Sequence, residues 1–188
     1  MQKLFALAGI ALLAGCSLLQ VPVNLVSYLG AQATGSYSYD IPSGSYSVND
    51  KLPNSSGRAA DFTDVNLPVT LTSASLDYGF NLGYQGDTQL SGDVMVQLYM
   101  APAGNESTDS LWQDKYKLGA SQTVAIAPDQ TNVQVAGQVT LGADQLRAVN
   151  QRKMRFGVIA QGNGSSTQAA HVVFNYEVQQ LVVKVGVL

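Results

Sequence analysis

From Asp64 to the C-terminus, apolar side chains recur at every second position. Val65, Leu67, Val69 and Leu71 alternate with Asn66, Pro68, Thr70 and Thr72, and Phe80, Leu82 and Tyr84 alternate across glycines. Val94, Val96, Leu98 and Met100 follow, then Val124 and Ile126, then Val133, Val135, Gly137, Val139 and Leu141. Phe156, Val158 and Ala160 precede Val172, Phe174, Tyr176 and Val178, and Leu181, Val183, Val185 and Val187 close the chain. A period of two places each set on one face of a strand, and Gly, Pro, Asn or Asp bound most of the runs. Seven to nine such strands, each with one apolar face, call for two sheets packed face to face. The predicted fold is therefore all-β: a two-sheet antiparallel β-sandwich, immunoglobulin-like or jelly-roll-like, with a barrel as the alternative. Pro68 predicts an edge position for the first strand. Residues 143–150 (ADQLRAVN) predict one short helix with Leu146 and Val149 on one side, and residues 161–166 (QGNGSS) predict a flexible loop.

Charge narrows the function classes. The net charge is −3 and charged residues are 12% of the chain, about half the usual share. A weakly acidic chain of this kind is a poor match for nucleic acid or for electrostatic adhesion to anionic lipid. Its polarity comes from Ser, Thr, Asn, Gln and Gly, which suits a surface partly covered by neighbours or, equally, a neutral secreted β-protein.

The N-terminus gives the most specific motif. Lys3 is followed by an uninterrupted apolar run from Leu4 to Leu13, and small residues then precede Cys16, the only cysteine. This is signal-peptide architecture, too short for a spanning helix. Leu13-Ala14-Gly15-Cys16 resembles the lipobox of bacterial lipoproteins. The resemblance covers about the first 16 residues and implies a diacylglyceryl group on the Cys16 sulfur, cleavage before Cys16 and acylation of the new amine. With Cys16 acylated no disulfide can form. Ser17, where the family's sorting logic retains Asp at the inner membrane, implies export to the outer membrane in a diderm cell. A lipobox and short strands together argue against a transmembrane barrel.

The segments predicted from this reading are a signal peptide (1–15), a lipid-anchored N-terminal arm (16–57) and a β-sandwich domain (58–188). The arm begins apolar. Pro22 can open a helix with Leu25, Val26 and Leu29 on one face, or Val21, Val23 and Leu25 can alternate as a strand. Together with Leu18 and Leu19, these side chains form a strip suited to the bilayer surface or a membrane partner, or to folding back on the domain's own core. Next, Gly35-Ser36-Tyr37-Ser38-Tyr39-Asp40 is echoed by Gly44-Ser45-Tyr46-Ser47-Val48-Asn49. Tyr28, Tyr37, Tyr39 and Tyr46 make this a candidate contact surface, since Tyr brings area at low entropic cost; the alternative is an extended arm or irregular hairpin covering a sheet edge.

Catalytic sets are thin. One histidine and no free cysteine leave almost no ligands for zinc or copper, and no cofactor is expected. His171 alternates with Asn175 and Glu177, away from the core, and no Gly-x-Ser-x-Gly elbow is present. Asp61 and Asp64, Asp87 and Asp93, and Glu106 and Asp109 are close in sequence but lie in or beside turns, where Asp serves the backbone. Weak calcium binding at Asp61/Asp64 or Asn105/Glu106/Asp109 is the metal reading left open. Arg147, Arg152, Lys153 and Arg155 fall within nine residues and are candidates for an acidic partner or phosphates. Trp112 near Tyr116 is a candidate sugar-stacking platform, or a packer at the sandwich rim.

The sequence thus predicts a non-enzymatic lipoprotein of the outer membrane. It is expected to be a structural accessory subunit packed on a larger envelope or surface-layer assembly. The alternative is a module binding glycans or cell-wall polymer.

Overall fold

Alternation builds the strands, and their pairing order decides which sandwich they form. The structure is a computed structural model describing residues 19–66, 71–85, 90–104, 108–127 and 132–187. The strands are β1 (Leu19–Asn24), β2 (Thr34–Ile41), β3 (Gly44–Leu52), β4 (Arg58–Asp61), β5 (Ala74–Gln85), β6 (Leu90–Pro102), β7 (Lys117–Ile126), β8 (Asn132–Thr140), β9 (Lys153–Ser166) and β10 (Ala170–Val187). Among the described residues there are also two helices, α1 (Val26–Leu29) and α2 (Ala143–Gln151), and short 3-10 turns after α1 and between β6 and β7.

The first sheet runs β1-β10-β5-β8 with β2 also on β10; the second runs β3-β9-β6-β7 with β4 also on β9. β1 pairs with one half of β10 (182–187) and β2 with the other (170–177), so they act as one edge strand broken by α1. β3 and β4 divide β9 in the same way. Each sheet is thus four strands wide, and all pairs are antiparallel. Apart from those two breaks, only β6–β7 stays within one sheet; every other connection crosses the sandwich. That is the eight-stranded, double-sheet order of a jelly roll, not of an immunoglobulin domain.

Inward positions make the core. Leu76, Tyr78 and Phe80 of β5 meet Val96, Leu98 and Met100 of β6, with Val135, Val178, Leu181 and Val183 from the flanking strands. A bulge between Val178 and Gln180 shifts the parity of β10, so that even residues point inward before it and odd residues after it. A smaller cluster of Tyr99, Ala101, Leu111 and Tyr116 lies on the outer face of the second sheet, under the turns of residues 108–116.

Three local expectations change. Residues 19–52, expected as an arm, supply β1, β2 and β3, so the sandwich draws on the chain on both sides of residue 58. Residues 161–166, expected as a loop, are the second half of β9 and pair with β3 and β6 at once. Their glycines answer a packing demand: a Cβ on Gly164 would stand 2.2 Å from the Ser91 carbonyl oxygen. The strand expected from Val65 to Leu71 is not formed by its described part, which turns at residues 63–65, while Pro68 lies outside the described residues. No helix among the described residues is long and apolar enough to cross a membrane.

On the outer face of the first sheet, Lys184 binds Asp77, and the Gln138 amide donates to Asp77 at 2.6 Å. These two donors, Lys184 first, hold the Asp77 carboxyl below its ordinary range. A carboxyl whose pKa is depressed by folding stabilises the fold above the unfolded value near 4 and loses that contribution as pH falls through the folded value. Asp77→Asn is expected to lower stability at pH 7 by up to about 1 kcal/mol and to flatten the loss of stability below pH 4. Urea denaturation at pH 7 and pH 3 checks both.

Candidate functional site

The tyrosines expected to face a partner converge on the sandwich interior. Tyr37 and Tyr39 alternate inward from β2, Tyr46 from β3, and all three are half-buried. Tyr37 stacks on Tyr176 with ring centroids 6.1 Å apart, and Tyr39 meets Phe174 edge-on at 5.5 Å. The same alternation carries Asp50 inward beside Val48 and Leu52, and there the Tyr39 hydroxyl donates to its carboxylate. The Tyr37 hydroxyl donates to the Pro53 carbonyl at 2.5 Å. Burial, then the neighbouring Asp50 carboxylate, pushes both phenols above their ordinary value. These groups rim an apolar cavity of about 90 Å³ between the sheets, also lined by Val94, Val124 and Ala160. A second, of about 60 Å³, adjoins it at Leu52, Leu82 and Tyr176. The interior is underfilled here, and Ala160→Val, which points two added methyls inward, is expected to stabilise the protein by about 1 kcal/mol. A melting temperature equal to or below wild type would show that the strands cannot accept the larger residue.

The apolar strip folds back on the domain. Leu25 is 0% and Leu29 4% exposed, both inside the main core, and Val26 and Tyr28 pack half-buried against it. Tyr28 also tilts against Phe62 at 6.0 Å. Leu19 and Val21 belong to β1, whereas Cys16 and Leu18 lie outside the described residues. The partner-binding role expected of Leu25 and Leu29 is therefore corrected: burial leaves them nothing to offer a partner.

The basic cluster is engaged locally and is not a free patch. Arg147 binds Asp144 at 2.7 Å, Lys153 binds Asp61 at 3.3 Å, and the Arg155 guanidinium donates to Ser110 Oγ at 2.5 Å. Arg152 ends α2 in the left-handed region (φ 56°), its N–H bonded to the Ala148 and Val149 carbonyls. Arg147 lies in α2 and Arg152 caps it, on the crossover from β8 to β9, while Lys153 and Arg155 lie in β9 itself.

The stacking platform is also corrected. Tyr116 is 0% exposed. Trp112 meets Tyr99 edge-on at 5.4 Å, donates Nε1–H to the Ser55 carbonyl at 2.7 Å and has Lys51 Nζ above its ring. A Cβ on Gly157 would stand 2.3 Å from the Trp112 ring, so that glycine makes the slot in which the indole lies. Both aromatics are packers that clamp residues 108–116 to the second sheet.

The acids expected for calcium have other duties. Asp61 Oδ1 accepts from the Thr63 backbone N–H at 3.1 Å and from its hydroxyl at 2.8 Å, which, with Lys153, lowers its pKa. Asp64 accepts from the Tyr28 hydroxyl at 3.3 Å. Asn105 and Glu106 lie outside the described residues, as does Asp87. Among the described residues no three His, Cys, Asp or Glu side chains group as a metal site. His171 Nδ1 lies 2.8 Å from Asp40 Oδ1 on the exposed outer face.

No protein-family model matches the chain, and no curated protein matches it. Solved structures similar to it include a chain of the Triatoma virus empty capsid, at 11% identity and TM-score 0.35, over 87% of this chain and 94% of that one. They also include the infectious bursal disease virus Gx strain, at 12% identity and TM-score 0.22, and the VP2 subviral particle of that virus, at 12% and 0.20. This chain covers 81% of its own length in both matches, but only 39% and 40% of those chains. At such scores the likeness bears on neither the fold nor the function of this chain.

Proposed function

We propose that this protein is a non-enzymatic, lipid-anchored subunit of the bacterial cell envelope, exported to the outer membrane. Its jelly roll packs as a structural accessory on a larger envelope or surface-layer assembly. The observation that carries the reading is the length of the tether. Leu19 already pairs with Val187 in β1, and Cys16 precedes it by three residues. Three residues reach about 10 Å at full extension, so an acylated Cys16 holds the sandwich end-on against the headgroups instead of letting it swing on a flexible linker.

The end held there contains the start of β5 and the end of β8, since Ala74 pairs with Val185 and Ser75 with Thr140. The β8–β9 crossover follows, so α2 lies at this end as well. The opposite end, where β2 turns into β3, points away from the membrane. A rigid body fixed in this way suits a lattice or complex position.

Intact mass of the protein purified from membranes tests the anchor. The expected species starts at Cys16 and carries three acyl chains. A chain retaining residues 1–15, or one with a free Cys16 thiol, would overturn it.

A further inference from the structure

The outer face of the first sheet carries a feature that neither the anchor nor the core uses. Gly83 of β5 stands between Asn132 of β8 and Asn175 of β10 in the strand register. Asn81 and Gln85 share its face one step to either side, because Leu76, Tyr78 and Phe80 take the inward positions. Glu177 stands opposite Asn81. With no side chain on Gly83, these five residues wall a shallow groove of about 340 Å³.

None of the five engages a hydrogen-bond or ion-pair partner among the described residues. Elsewhere on the same face amides do pair: Gln134 donates to Gln179 at 3.3 Å and Gln138 to Asp77 at 2.6 Å. Four unpaired amides present donors and acceptors side by side, and Glu177 adds acceptors. Hydroxyl groups, each donor and acceptor at once, complement that set. No cation lines the groove, and Glu177 repels anions, so phosphates and acidic polymers are disfavoured.

We propose that this groove binds a neutral saccharide. The site differs from the anchored end and from the Trp112 platform: the groove lies at the finish of β5 and the start of β8. In a molecule anchored through Cys16, as proposed above, it therefore lies on the half of the sandwich away from the bilayer.

Affinity electrophoresis of the full lipidated chain in detergent, through gels containing neutral glucan, mannan or galactan, tests it without reference to the anchor or to any protein partner. Wild type is expected to be retarded by at least one of these polymers. The double variant Asn81→Ala/Asn175→Ala is expected to bind it about tenfold more weakly or worse, with an unchanged melting temperature. Gly83→Val, which fills the floor and leaves the amides, is expected to do the same. Retardation by none of the neutral polymers, retardation only by an acidic polymer, or retardation that survives the double variant would overturn the proposal.

Discussion

Replacing Leu25 with alanine is expected to destabilise the isolated protein by about 2–5 kcal/mol. Leu25 joins β1 to α1, is 0% exposed and belongs to the same core cluster as Leu29, Phe62 and Leu181. Its backbone N–H donates to the Leu181 carbonyl at 2.7 Å, which fixes the side chain at the break between β1 and β2. Truncation removes buried methyls and leaves a cavity that the two sheets cannot close without shifting β10. Total stabilities of about 5–15 kcal/mol make this a large fraction. A domain of this size loses roughly 2–4 °C per kcal/mol, so the melting temperature should fall by about 4–20 °C. An unchanged melting temperature, with loss only of a membrane or protein contact, would mean that Leu25 is a surface residue and that β1 is wrongly placed.

Cys16→Ser is expected to abolish incorporation of labelled fatty acid completely and to accumulate a precursor that keeps residues 1–15. The serine hydroxyl does not replace the thiolate as acceptor of the diacylglyceryl group, and without that group the lipobox bond is not cut. The effect on labelling is all-or-none because Cys16 is the chain's one thiol acceptor, and the arithmetic of anchoring sets what its loss costs at the membrane. Each buried methylene contributes about 0.8 kcal/mol, so one chain binds marginally while three hold the protein for its lifetime. Fatty-acid labelling with gel mobility reads both outcomes. Label retained in the variant, or a mature size equal to wild type, would remove the anchor from the account.

The fold was legible where strands have one wet and one dry face. β5, β6, β8 and the inward residues of β10 follow the alternation that begins after Asp64, and α2 lies on the stretch that lacks Gly and Pro. β10 reads as two strands because the bulge at Val178/Gln180 breaks the parity at its middle. The N-terminal strands were harder to read. Tyr37, Tyr39 and Ile41, and Tyr46, Val48, Asp50 and Leu52, do alternate, but Ser and Gly fill the outward positions and a carboxylate takes an inward one, so the stretch resembles loop composition. Asp50 is tolerated there because Tyr39, eleven residues earlier, donates to it, a partnership that shows only once β2 and β3 are known to be strands in opposite sheets. Trp112 needed Gly157, and the amide groove needed β8, β5 and β10 side by side; spacing along the chain carries neither.

As proposed, the jelly roll serves as a fixed part of a larger envelope assembly. Gentle detergent extraction of native membranes, native-size separation and mass spectrometry of the band holding this protein test it most directly. Migration at high mass with a defined partner in constant stoichiometry is expected. Migration alone, at the size of one lipoprotein in its detergent micelle, would contradict it.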